Sequence, residues 1–303
     1  MLYILYVQSD LIDFLFDSLK ERDDLVLIKL NPRTDLLSRI IKHSALKFGL
    51  IPFLPKNFLF RNKNIPSHFN PEDKILLFDH LFDSTIKWIM KRISIESIRL
   101  FYWNTIENNS PSKYIPPSQS YTFDFKDSIK YNLNLVPQVY RKQSEILQLP
   151  KYDFFFIGAN KDRFEGLQKL VLELLKYGFS VKCIIVDFNN VLLPVDYLDI
   201  RNHGIPYHEV IEYINNSKAI IDFTKQGQTG YTLRVLEGIF LKKKVITNNL
   251  NIKNSKIYNI NNFFIYEGGN IDALREFMNR PYLPYNSEDL APHEINTWIN
   301  RFL

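Results

Sequence analysis

The stretch AIIDFTKQGQTGYTLRVLEGIFLKKKVITNN, residues 219–249, carries the decisive pattern. Residues 219–223 are an apolar run that reads as a buried strand, with Asp222 at its carboxyl end. A loop with Gly227 and Gly230 follows, Thr232 opens a helix through 242, and Lys244–Thr247 reads as the next strand. In open α/β sheets, ligands bind at the carboxyl ends of the strands, where helix N-termini face the crevice. A loop of small residues there lets backbone N–H groups reach a phosphate, and the helix dipole favours its charge. Arg234, one turn in, has the fork geometry for a bidentate phosphate contact. Glu237, three residues on, shares its face, and its carboxylate could accept both vicinal hydroxyls of a ribose. Alternatively, the glycines form only a turn, and Arg234 and Glu237 pair as solvated charges. The rest of the helix (Leu233, Val235, Leu236, Ile239, Phe240, Leu241) is apolar, which sets both charges on a largely buried element, where charge is costly unless used.

The pattern continues on both sides. Strands are predicted at 153–157, Val181–Val186 and 262–266, with helices at 163–177, 207–217 and 272–278. Earlier in the chain, strands are predicted at Leu2–Val7, Leu25–Leu30, 75–78, 97–103 and 121–125, with 136–140 closing the sheet. Helices are predicted at 11–20, from a Thr34 cap through 48, and at 80–93. Alternating strands and helices imply parallel β-α-β units. The polar stretch 143–151, with Pro150, marks a boundary. The expected architecture is α/β: two Rossmann-like domains, 1–145 and 146–303, facing each other across a cleft. The second includes a helical end at 291–303. Nine of the ten glycines lie after residue 150, so the ligand-cradling loops are expected in the second half.

Composition excludes several classes. With 303 residues, 46% hydrophobic and 23% charged, the chain is neither disordered nor collagen-like. The single cysteine, Cys183, sits in an apolar run and reads as a core residue in a reducing compartment. No apolar run reaches the ~18–20 residues of a membrane span. The start MLYILYVQSD lacks the features of a signal peptide, so a cytoplasmic protein is expected. A net charge of +5 falls short of the dense basic stripe of a nucleic-acid binder. It suits phosphorylated substrates or an anionic membrane surface.

Three stretches together resemble a known family. The first comprises 207–209, 217–222, Gly227, Gln228, Thr229, Gly230, Thr232, Arg234, Glu237 and 243–249. The second is FFFIGANKDR, 154–163, in which Gly158 ends a strand and Lys161 and Arg163 follow. The third is YTFDFKDSIKYNLNLVPQVY, 121–140. This arrangement is similar to the donor-binding domain of GT-B glycosyltransferases, particularly the bacterial surface-polysaccharide type of lipopolysaccharide and capsule synthesis. The resemblance implies a nucleotide-diphosphate sugar, UDP type preferred, on the second domain. The implied acceptor, an oligosaccharide or lipid-linked glycan, lies on the first. Lys161 or Arg163 and the 227–230 loop would hold the diphosphate, and Glu237 the ribose. No metal and no further cofactor is implied, because helix dipole and cations offset the departing charge. His208, at the start of a helix at the crevice, could touch a nucleotide base or serve as a cap or surface residue.

In one respect the chain departs from the family. Many retaining members carry a second glutamate where Thr229 stands, so inversion is expected, with a general base from the first domain. Asp10, after the first strand, and Asp79, after the 75–78 strand, are the candidates, with Asp13, His80 and Asp83 close by. Asp10 could equally cap a helix. The other histidines lack metal-ligand spacing.

Residues 42–63 mix Lys42, Lys47, Lys56, Arg61 and Lys63 with Phe48, Phe53, Phe58 and Phe60. That suits peripheral contact with an anionic bilayer on the inner face of the membrane, or a loop packed on the core. No nucleic-acid motif is present, and nucleic acid is not an expected partner. A GT-B-shaped epimerase and a non-catalytic glycan-assembly scaffold remain alternatives. A dinucleotide oxidoreductase is not expected, because no G-x-G-x-x-G follows the first strand.

Overall fold

The computed structural model describes residues 1–61, 64–79, 81, 83–106, 111–143, 148–160, 163–224 and 228–303. They form two compact units, Met1–Pro137 with Ile295–Leu303, and Gln138–Glu294.

The first unit holds β1 (Leu2–Val7), β2 (Leu25–Leu30), β3 (Lys74–Phe78), β4 (Ile98–Tyr102), β5 (Ser120–Thr122) and β6 (Asn134–Leu135) in one parallel sheet, ordered β2-β1-β3-β4-β5-β6. Around it run α1 (Asp10–Phe16), α2 (Leu36–Lys47), α3 (Lys56–Leu59), α4 (Asp83–Met90) and α5 (Phe125–Tyr131). The central strands are near-continuous apolar runs, as strands covered on both faces must be. Leu5, Ile75, Leu77, Leu100 and Trp88 form the middle of the core.

The second unit holds β7 (Tyr152–Ala159), β8 (Val181–Val186), β9 (Asp199–Arg201), β10 (Ser217–Asp222), β11 (Lys244–Thr247) and β12 (Phe263–Ile265), ordered β12-β11-β10-β7-β8-β9 and parallel throughout. Its longer helices among the described residues are α6 (Phe164–Lys176), α7 (Tyr207–Asn215), α8 (Leu233–Phe240) and α9 (Ile271–Asn279). The chain winds from β7 out to one edge, returns, and winds to the other. The order therefore reverses between β7 and β10, the switch point where doubly wound sheets bind ligands.

Several expectations change. The segment 295–303 belongs to the first unit, not to a 146–303 domain. Trp298 donates to the Pro137 carbonyl at 2.8 Å, its ring meets Phe101 at 5.0 Å, and Phe302 meets Tyr121 at 5.1 Å. Asp35, not Thr34, caps α2, accepting from the Ser38 amide at 3.0 Å. The strand near 121–125 stops at Thr122 because Asp124 turns to cap α5. The closing strand is β6 rather than 136–140, where Pro137 lacks the N–H a ladder needs. The short, polar strand β9 had no apolar signal to announce it.

Candidate functional site

Two arginines converge on the switch point of the second unit. Arg163, just ahead of α6, folds back over β7. Its Nε and Nη2 donate to the Ala159 carbonyl at 3.2 and 2.9 Å, and Nη1 donates across to the Phe223 carbonyl beyond β10 at 2.8 Å. Gly158 makes room for it: a Cβ there would stand 2.5 Å from Arg163 Nη2 and 2.9 Å from Phe156 Cζ. Arg234 reaches β7 from α8, its Nε donating to the Ile157 carbonyl at 3.2 Å. Burial, with the Arg234 charge adding to it, lowers the Arg163 pKa, and Asp222 opposes the shift.

Asp222, the last residue of β10, is buried and organises the loop. Its Oδ1 accepts from the Thr232 hydroxyl at 2.6 Å and its Oδ2 from the Thr247 hydroxyl at 2.7 Å. Burial raises its carboxyl pKa, against the pull of the two hydroxyls and both arginines. Thr232 in turn caps α8, accepting from the Arg234 amide at 3.1 Å. That amide is therefore taken by the protein's own cap. Asn249 Nδ2 donates to the Thr229 and Gly230 carbonyls at 3.4 and 3.5 Å, and Gln228 Nε2 to the Gly230 carbonyl at 3.5 Å. Thr224 and Asn248 fasten the other side of the loop, with the Thr224 amide donating to Asn248 Oδ1 at 2.7 Å.

Glu237 is 0% exposed. The Tyr207 hydroxyl, at the start of α7, donates to its Oε1 at 2.7 Å, and Arg234 Nη1 donates to its Oε2. Behind Tyr207 lies the Tyr140 hydroxyl at 3.0 Å, which accepts from Gln143 at 3.0 Å. Burial, then the Glu237 charge, pushes the Tyr207 hydroxyl well above its ordinary pKa. Arg234 and Glu237 do pair, as the alternative reading held, but with the carboxylate buried and the guanidinium only partly exposed. Gly238 allows this burial: a Cβ there would stand 2.3 Å from Val245 Cγ2, so α8 lies directly on β11.

His208 is exposed at the second position of α7. Lys161, Gly227 and His80 lie outside the described residues. In the first unit, Asp10 is exposed in the first turn of α1, whose cap is Ser9, so Asp10 does not serve as the helix cap. Asp79 follows β3, and its Oδ2 accepts from the Asn104 amide at 3.1 Å. Both carboxylates follow the adjacent strands β1 and β3, where the first sheet reverses its order. Asp13 pairs with Lys29 at 2.9 Å.

Sequence reasoning missed the roles of Tyr207, Tyr140 and Asp222. The signal for Asp222 was a carboxylate closing an otherwise apolar strand. The tyrosine pair had none, since residues 140 and 207 meet only through the fold. A cavity of about 620 Å³, lined in part by Asp187, Leu198, Arg201 and His203, adjoins the carboxyl ends of β8 and β9. It too was unannounced, because β9 was.

No protein-family model matches the chain, and no curated protein matches it in sequence. Solved structures do match over its length. One is an alpha-glucosyltransferase in complex with UDP-glucose and DNA containing an abasic site, with TM-score 0.52, 10% identity, and coverage of 99% of this chain and 98% of that one. A second is AviGT4, a glycosyltransferase of avilamycin A biosynthesis, with TM-score 0.51, 9% identity, and coverage of 100% and 97%. A third is a UDP-forming trehalose-phosphate synthase from Burkholderia vietnamiensis, with TM-score 0.53, 10% identity, and coverage of 99% and 95%. The fold is that of the GT-B glycosyltransferases. At these identities the likeness is one of fold. The DNA in the first of these structures is that protein's partner.

Proposed function

We propose that the chain is a glycosyltransferase that moves a sugar from a nucleotide-diphosphate donor, preferably UDP-linked, to a glycan or lipid-linked acceptor of bacterial surface polysaccharide. The observation that carries this reading is the convergence of Arg163 and Arg234 on the switch point between β7 and β10, beside the buried Glu237. Two guanidinium groups at strand ends suit a diphosphate, whose charge grows as the sugar leaves. They supply the counter-charge from the chain itself, so the reading needs no metal.

Arg234 links the two halves of the donor in this reading. Without donor it neutralises Glu237. When donor arrives, the guanidinium turns to the diphosphate and a ribose hydroxyl takes the vacated place on Oε2, while Tyr207 keeps Oε1 in position. In this reading the cavity beside β8 and β9 gives the base room, with His203 in its lining. Transfer with inversion then draws on Asp79 or Asp10 as general base toward the acceptor hydroxyl.

Titration calorimetry with UDP, GDP, CDP and CMP tests the donor site. One nucleoside diphosphate should bind preferentially, and Glu237→Ala should weaken it strongly. Equal indifference to all four removes the proposal. Product analysis with lipid-linked acceptors tests the rest: Asp79→Asn or Asp10→Asn should abolish transfer while leaving nucleotide affinity unchanged.

A further inference from the structure

Helix α2 packs Leu46 on the core but turns three other large apolar side chains outward. Its buried positions, Ser38 and Ala45, are small and lie seven residues apart on one face. The opposite face carries Leu36, Ile40, His43 and Lys47, and Leu36, Leu37 and Ile40 are 74%, 67% and 55% exposed. An ordinary surface helix does the reverse, with large apolar side chains inward.

The segment that follows extends the same surface, since α2 packs against both α3 and the turn Ile51–Phe53. That turn is pinned from below: Trp88 Nε1 donates to the Leu54 carbonyl at 2.9 Å and Arg92 to the Pro52 carbonyl at 3.2 Å. Ile51 is buried as a result, while Phe53 stands 69% exposed with the Lys91 ammonium 5.5 Å from its ring. Phe48 and Phe58 are also exposed. No Asp or Glu occurs from residue 36 to 71, whereas Arg39 and Lys47 lie on the outer side of α2.

The structure redraws the stretch read from sequence at 42–63. Lys42 and Lys56 turn their ammonium groups to the carbonyls of Arg33 and Ile65, and Phe60 is buried against Trp88. Leu36, Leu37 and Ile40 join the surface instead.

We infer that this face of the first unit docks on an anionic lipid bilayer. The aliphatic and phenyl side chains enter the headgroup–acyl boundary, and Arg39, Lys47 and Lys91 meet lipid phosphates. The pairing of projecting aliphatic groups with cations fits this partner, and Asp35 at the helix start is offset by Arg33 at 3.8 Å. Nucleic acid would use the cations but gains nothing from Leu36, Leu37 and Ile40, which cannot stack on bases. Because Phe53 is already held outward, docking there costs little ordering entropy.

Vesicle co-sedimentation of the full chain tests the inference. The wild type should sediment with phosphatidylglycerol-containing vesicles and stay in solution with pure phosphatidylcholine. Arg39→Gln with Lys47→Gln should weaken binding about 30-fold, at roughly fivefold per lost cation. The triple variant Phe48→Ser, Phe53→Ser, Phe58→Ser should weaken it at least about tenfold. Both variants should melt at the wild-type temperature, because the replaced side chains are exposed. The inference fails if the wild type ignores anionic vesicles, or if both variants sediment like the wild type. It fails equally if the same residues are needed for binding a DNA oligonucleotide while vesicles are not bound.

Discussion

The Tyr207 hydroxyl stands 2.7 Å from Glu237 Oε1, so a fully buried carboxylate is gripped from α7 as well as by Arg234 of its own helix. Removing that hydroxyl leaves a buried acceptor short of a donor. Tyr207→Phe should therefore cost about 1–3 kcal/mol in urea unfolding. Glu237→Ala, which strands Arg234, should cost about 3–5 kcal/mol. A Tyr207→Phe protein as stable as the wild type would show the bond to be idle.

Arg163 and Arg234 should discriminate di- from monophosphate. Losing one charge-assisted contact corresponds to about 1.5–3 kcal/mol, or roughly 10–100-fold in affinity. Arg163→Met and Arg234→Met should each weaken UDP binding by that factor and UMP binding by less, as read by calorimetry.

Two glycines separate packing from binding. Gly158→Ala would drive a methyl into Arg163 Nη2 and Phe156, and Gly238→Ala would drive one into Val245. Both should destabilise by about 1–3 kcal/mol. The two should differ in UDP affinity: Gly158→Ala loses it through displacement of the guanidinium, whereas folded Gly238→Ala protein retains it.

Lys244 gives a pH signature. Its buried ammonium donates to the carbonyls of Phe277 and Arg280, at the end of α9, and burial lowers its pKa to about 8, with Arg280 adding to the shift. The unfolded chain holds that proton to near 10.5, so between these values the unfolded state binds more protons and stability rises with pH. Above about 10, tyrosines such as Tyr207, which keep their protons longer when folded, reverse the trend. From pH 7.5 to 9.5 the wild type should gain roughly 1–2 kcal/mol relative to Lys244→Met in denaturant titrations. Parallel curves for the two proteins would contradict the assignment.

Most elements of the fold were legible before any coordinates, because buried parallel strands must be apolar runs and the helices between them must repeat near 3.6. The chain from 219 to 249 announced β10, α8 and β11 in this way, with Thr232 as the cap. Elements without an apolar signature went unread: β9 is polar and short, and β6 is two exposed residues.

Sequence alone determined that the chain alternates strands and helices, and that Arg234 and Glu237 share one face of an apolar helix. Tertiary structure alone decided what those charges meet. It brought Arg163 beside Arg234 across the reversal of strand order, placed Tyr207 and Tyr140 behind Glu237, returned residues 295–303 to the first unit, and turned Leu36, Leu37 and Ile40 of α2 outward. Periodicity records which positions of an element are apolar, a local property. Which neighbour each face meets depends on contacts between residues tens to hundreds of positions apart, and no local pattern encodes those.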